Sequence, residues 1–139
     1  MHGHLGGRPP AVDLPAERAL AAVLTTAAAA GLLSAAHDLS DGGLAIALAE
    51  CCLAGGTGCR VTLPGDAFTL LFSESAARAV VAVRPGSEAA FTALLNSHGV
   101  PAAILGRTGG VGLDITGTFS VPLPELADVH RATLPALFG

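Results

Sequence analysis

The chain has 139 residues, 51% of them apolar and only 13% charged, with a formal net charge of −4. That length supports one domain with a real core rather than two, and that composition excludes disorder. The acidic balance excludes a nonspecific nucleic-acid binder, whose electrostatic footprint is basic.

No apolar run reaches the roughly 20 residues that span a bilayer, and Met1 to Pro10 lacks the basic-then-apolar order of a secretory signal. "HGHLGGRPPAV" is rich in Gly and Pro, has no period, and reads as an entry segment over residues 1–12; its His2 and His4 are two potential ligands and not a metal site. Asp13 then suits a helix N-cap, Pro15 the first turn and Glu17 the positive helix end. Leu20, Val23, Leu24 and Ala27 recur at helical spacing, which predicts a helix to about Ala30 with Gly31 as its stop. "LLSAAHD" reads as a strand. A second helix is expected from Gly43 to Ala54, with Leu44, Leu48, Cys51 and Cys52 on one face and Gly55-Gly56 as its end.

"CRVTL" (59–63) reads as a strand, "FTLLFSES" as an extended segment entering a polar corner, and "ARAVVAV" (77–83) as a strand covered on both faces. Ser87 is expected to cap a third helix carrying Phe91, Leu94 and Leu95. "PAAILGRT" and "GLDIT" read as strands joined at Gly109-Gly110. A last helix follows Pro124, with Leu126, Val129 and Leu134 facing inward. This order implies an α+β class with a single mixed β-sheet and helices packed mainly on one face. Residues 13–139 form the one domain. Its three Cys read as reduced, buried thiols.

Two polar corners stand out. In "SAAHDLSDGGLAIALAE", His37, Asp38, Ser40 and Asp41 precede Gly42-Gly43 at a helix start. Ser40 or Asp41 is expected to cap that helix; the glycines also allow a ligand to approach the backbone closely. His37 can pair with a neighbouring carboxylate, which raises its pKa. In "LFSESAAR", Ser73, Glu74 and Ser75 offer hydroxyls and a carboxylate, with Glu74 expected to pair with Arg78. The nucleophile motif G-x-S-x-G, the dinucleotide fingerprint and the Walker A pattern are all missing, so the chain carries no self-contained nucleotide cradle.

Taken together, "AHDLSDGGLAIALAE", "LFSES" with Arg78 and "VVAV", and "GVPAAILGRTGG" resemble the C-terminal domain of phosphoribosylformylglycinamidine synthase, over nearly the whole chain. The resemblance implies the fold of aminoimidazole ribonucleotide synthase C-terminal domains, with residues 1–12 as the connector from a missing N-terminal domain. It implies a part in ATP-dependent conversion of formylglycinamide ribonucleotide and glutamine-derived ammonia to formylglycinamidine ribonucleotide, ADP and phosphate, in the cytoplasm. ATP and Mg²⁺ would belong to the complete enzyme and not to this piece; the partners would be the missing domains of the same subunit, a glutaminase subunit and a small accessory subunit. The family's first half carries Glu-Ser-Gln at the substrate, whereas here Glu74-Ser75 is followed by Ala76, so no residue of this chain is expected to be catalytic. The candidate cleft residues are Ser73, Glu74, Ser75, His37, Asp38, Asp41, Gly42 and Gly43. The alternatives are a stand-alone binding or assembly module of the same fold, and a domain of a related enzyme such as selenophosphate synthetase; the latter needs a catalytic Cys or selenocysteine near the N-terminus, and the first Cys is Cys51.

Overall fold

A computed structural model describes residues 11–138, with side chains described as far as 132. His2, His4 and most of the expected connector lie outside the described residues, as does the side chain of Leu134. The first helix, α1 (Leu14–Ala29), starts as expected: the Asp13 carboxylate accepts the Ala16 N–H at 3.0 Å, and Val23 and Ala27 on its apolar stripe are buried. The first strand, β1 (Leu33–Asp38), leads through the first polar corner into α2 (Gly43–Gly55). Then follow β2 (Cys59–Val61), α3 (Ala67–Phe72), β3 (Ala79–Val83), α4 (Glu88–Ser97), β4 (Gly106–Thr108), β5 (Gly112–Ile115), β6 (Phe119–Pro122) and α5 (Leu123–Phe138).

The α+β class holds, but the strands fall into two sheets instead of one. β1 pairs antiparallel with β3, placing Leu33 opposite Val83 and Asp38 opposite Ala79. The other four run in the order β4-β2-β5-β6, with β2 and β5 parallel and the outer pairs antiparallel. The pairing of β2 with segments more than forty residues away is set by hydrogen bonds that local periodicity does not encode.

Residues 67–72 form a helix where an extended segment was expected. The Asp66 carboxylate accepts the Thr69 N–H at 2.8 Å and starts the turn. A short apolar run is ambiguous between helix and strand, and here the cap decides. β3 is half-buried along its length, not covered on both faces. Of "PAAILGRT" only Gly106–Thr108 joins a ladder. Ser87 occupies the N-cap of α4 without a side-chain hydrogen bond there. Val129 is exposed rather than inward, whereas Leu126 packs on the core.

Among the described residues, two apolar clusters hold the fold. The larger joins α2, α3, β2 and β5 through Leu44, Leu48, Leu71, Val61 and Ile115, with Leu71 and Ile115 only 1% exposed. Burying one such side chain contributes about 2 kcal/mol. The smaller joins α1 and α4 through Val23, Ala27, Phe91 and Leu95, against one face of the two-stranded sheet. Cys52 and Cys59 lie in the larger cluster as free thiols with sulfurs 3.6 Å apart, and burial first, then the Cys52 thiol, pushes the Cys59 pKa up to about 12. The Cys59 thiol is therefore protonated and unreactive at neutral pH. Cys51 is only half-buried.

Candidate functional site

β1 delivers His37 and Asp38 to the end of the two-stranded sheet, and the chain then turns through Leu39, Ser40 and Asp41 into α2. Neither Ser40 nor Asp41 caps that helix. The N-cap is Gly42, in a left-handed conformation (φ +80°) and without a side chain to contribute. Its N–H donates instead to Glu74 Oε1 at 2.8 Å, across 32 residues of sequence. The second corner thus caps the helix begun by the first, and the carboxylate also suits the positive end of α2.

Gly43 explains the rest of the joint. Its φ is +63°, and a Cβ there would stand 2.7 Å from the Leu71 carbonyl oxygen and 3.0 Å from that of Ser73. The close approach that a glycine pair permits is used by this chain's own backbone.

Glu74 faces Gly42 rather than Arg78, contrary to the expected pair. A guanidinium nitrogen of Arg78 donates to the Ser73 carbonyl (3.1 Å), the Ser73 hydroxyl (2.8 Å) and, more weakly, the Ser75 hydroxyl (3.4 Å). The Leu39 N–H donates to the Arg78 carbonyl at 3.1 Å, extending the pairing of β1 and β3 into the corner. Ala77, with φ +56°, is the one non-glycine residue among those described in the left-handed region, a conformation costing about 1 kcal/mol. Its N–H donates to Glu17 Oε1 of α1 at 2.7 Å.

His37 does pair with its neighbouring carboxylate, Asp38 Oδ1 lying 3.4 Å from its Nδ1, and the ring also reaches α2. Its Nε2 lies 2.9 Å from Glu50 Oε2 and its Nδ1 2.7 Å from the Asp38 carbonyl oxygen. Both partners only accept, so the doubly protonated ring satisfies both. The Asp38 carbonyl chiefly, and Glu50 next, raise the His37 pKa above its ordinary value, against the opposing effect of burial.

A shallow groove of about 790 Å³ runs between α1 and the two-stranded sheet, with Leu20, Leu24 and Ala36 along it and Ser40, Glu74, Ser75 and Arg78 at its polar end. Of the expected site residues, His37, Asp38, Glu74 and Ser75 line it. Gly42 and Gly43 form the seam behind it, Ser73 is held by Arg78, and Asp41 stands exposed outside it. With Glu17, Asp38 and Glu74 against Arg78, the polar end suits a group presenting hydrogen-bond donors. The Ser73 and Ser75 hydroxyls accept from Arg78, and the His37 ring is engaged by Glu50 and the Asp38 carbonyl, so neither of these two serines has the imidazole as its partner.

Three contributors were not marked in the sequence as site residues. Glu17 reads only as a favourable charge at a helix start, Glu50 sits midway along α2 from the corner it serves, and an alanine held at positive φ has no compositional signature.

The family described as "AIR synthase related protein, C-terminal domain" matches residues 1–118. The phosphoribosylformylglycinamidine synthase subunit PurL of Thermobifida fusca (strain YX) is 61% identical over 142 residues, covering 100% of this chain and 19% of its own length. The subunit of the same name from Parafrankia sp. (strain EAN1pec) is 53% identical over 143 residues, covering 99% of this chain and 19% of its own. The chain therefore spans about a fifth of the length of the curated relatives it matches. Among solved structures, Thermotoga maritima PurL complexed with FGAR superimposes with a TM-score of 0.75 at 23% identity, covering 90% of this chain and 23% of that one. PurLQS from the same organism gives 0.72 at 24%, covering 84% and 22%. At these identities the superpositions show a shared fold.

Proposed function

Because this chain belongs to the family of the AIR synthase related protein C-terminal domain, we propose that it works as the C-terminal domain of a phosphoribosylformylglycinamidine synthase subunit. In that role it belongs to a cytoplasmic ligase that converts formylglycinamide ribonucleotide, ATP and glutamine-derived ammonia to formylglycinamidine ribonucleotide, ADP and phosphate. Its partners are the remaining domains of the same subunit, a glutaminase subunit and a small accessory subunit. The observation that carries the reading is the interlocked corner: Glu74 on the Gly42 N–H makes one rigid polar wall from the two motifs on which the resemblance rests.

The donor set in this corner does not fit an ATP phosphate chain. The N–H at the start of α2 already holds a carboxylate, one guanidinium nitrogen of Arg78 is engaged by Ser73 and Ser75, and Glu17 and Asp38 add negative charge to the groove. Nor do the described residues gather three His, Cys, Asp or Glu side chains able to hold a metal ion. We assign the nucleotide and Mg²⁺ to the rest of the subunit, and to this chain the wall of the interdomain cleft: Glu74 and Ser75 present acceptors toward donor groups of the ribonucleotide, and none of its residues moves a proton or forms a bond. Ala76 lines the groove where the family's first half carries a glutamine, which fits this supporting role.

The test compares the purified 139-residue chain with the full-length subunit carrying it. With formylglycinamide ribonucleotide, ATP, Mg²⁺ and ammonia, the subunit should turn over and the chain alone should not; Glu74→Ala in the subunit should raise KM for the ribonucleotide. Turnover by the chain alone, or unchanged kinetics in the Glu74 variant, overturns the reading.

A further inference from the structure

Residues 74–78 are stretched between three anchors. Glu74 is fastened to Gly42 at the start of α2, and Arg78 is tied through its carbonyl to Leu39 beyond β1. The third anchor comes from α1: Glu17 reaches across 60 residues of sequence to the N–H of Ala77 in a part-buried contact. Ala77 is the residue whose backbone lies outside its ordinary region, with φ +56°. A residue in such a conformation persists only where its surroundings hold it there. Its N–H precedes the β1–β3 ladder, which begins two residues later at Ala79, and donates to Glu17 instead. A half-buried backbone N–H without an acceptor is costly, and Glu17 supplies the acceptor. Glu17 also lines the groove beside Ala76 and Ala77.

The geometry points to Glu17 as a positioning residue of the candidate site: by accepting the Ala77 N–H it holds that residue left-handed, and so sets where Glu74 and Ser75 stand along the groove. The effect on substrate rests on the functional reading above; the latch itself is a property of this chain. Glu17 touches no reacting atom in this account and acts wholly through the backbone of Ala77. A carboxylate at the first turn of α1 thereby couples that helix to the polar corner, beyond its ordinary favourable interaction with the helix end.

Amide exchange by NMR in this chain judges the latch directly. Glu17→Ala should speed exchange of the Ala77 amide about tenfold or more, the loss expected for a hydrogen bond to a charged acceptor, and should shift the Gly42 and Glu74 resonances. Glu17→Gln, whose side-chain oxygen still accepts, should retain part of the protection. Adding Ala77→Gly to Glu17→Ala should bring the Gly42 and Glu74 resonances back toward their original positions, because glycine adopts positive φ without steric cost. In the full-length subunit, Glu17→Ala should raise KM for the ribonucleotide and the double variant should recover most of that loss, a rescue that simple destabilisation by the first substitution does not predict. Unchanged Ala77 exchange in Glu17→Ala, or a double variant no better than the single one, overturns the inference. If Glu74→Ala leaves KM unchanged, the functional reading falls, while the exchange rates and the resonance rescue still decide the latch.

Discussion

The two ends of α2 are both made of glycine at positive φ, and they are built for different reasons. At the C-terminal end, Gly56 (φ +60°) has open space where a side chain would go, and its N–H returns to carbonyls of its own helix, Cys52 and Leu53. At the N-terminal end, Gly42 takes its acceptor from Glu74, and Gly43 is pressed against the backbone of residues 71–73. One end is a local stop that any helix can use. The other is a joint, and its glycines record the approach of a distant segment. The same residue type in the same backbone region therefore answers to conformation alone at one end and to conformation plus crowding at the other.

Substitution separates the two cases. Gly43→Ala carries the largest expected loss, about 3 kcal/mol, adding overpacking against Leu71 to the backbone penalty; urea unfolding of this chain measures it, and a loss no greater than that at Gly56 would erase the distinction. Gly56→Ala meets nothing and should cost about 1 kcal/mol by the same measurement. Glu74→Ala removes the long-range cap and should also cost about 1 kcal/mol, although the residue is exposed. Asp41→Ala, at the position where a local cap was expected, should stay within about 0.5 kcal/mol. A large effect at Asp41 with none at Glu74 would restore the local cap and dissolve the joint.

The smallest effect concerns pH. His37 bridges the strand before the joint to Glu50 midway along α2, and its pKa is raised, chiefly by the Asp38 carbonyl. A raised folded-state pKa stabilises fully below the unfolded value of about 6.5 and loses that contribution as pH climbs through the folded value. Stability should therefore decline gently above pH 6.5 in the parent chain, and His37→Gln should flatten the decline. A parallel slope in both proteins would assign the pH dependence to other groups.

How far the sequence foretold this molecule follows the same division between local and distant causes. α1 was legible because Asp13, Pro15 and the Val23–Ala27 stripe all act within a turn or two of one another. Gly55-Gly56 as a stop was legible for the same reason. α3 was not, since the six apolar or hydroxyl residues from Ala67 to Phe72 fit either period, and the division into two sheets depends on ladder partners far away in the chain. At the site, the residue types in both corners were recognisable, and four of them line one groove. What joined them was not recognisable: Glu74 in place of Ser40 or Asp41, Arg78 turned to Ser73 and not to Glu74, and Glu17 brought in from α1. Each is a choice among several available acceptors, made by geometry that spacing does not carry.

The cap supplied by Glu74 has a consequence for the entropy of closing α2. The two ends of this helix differ in how far apart in sequence their closing partners lie: Gly56 bonds to Cys52 and Leu53, whereas Gly42 waits on a residue 32 positions further along. Closing the first turn therefore carries the loop-closure entropy of a long-range contact, a cost that the last turn does not bear.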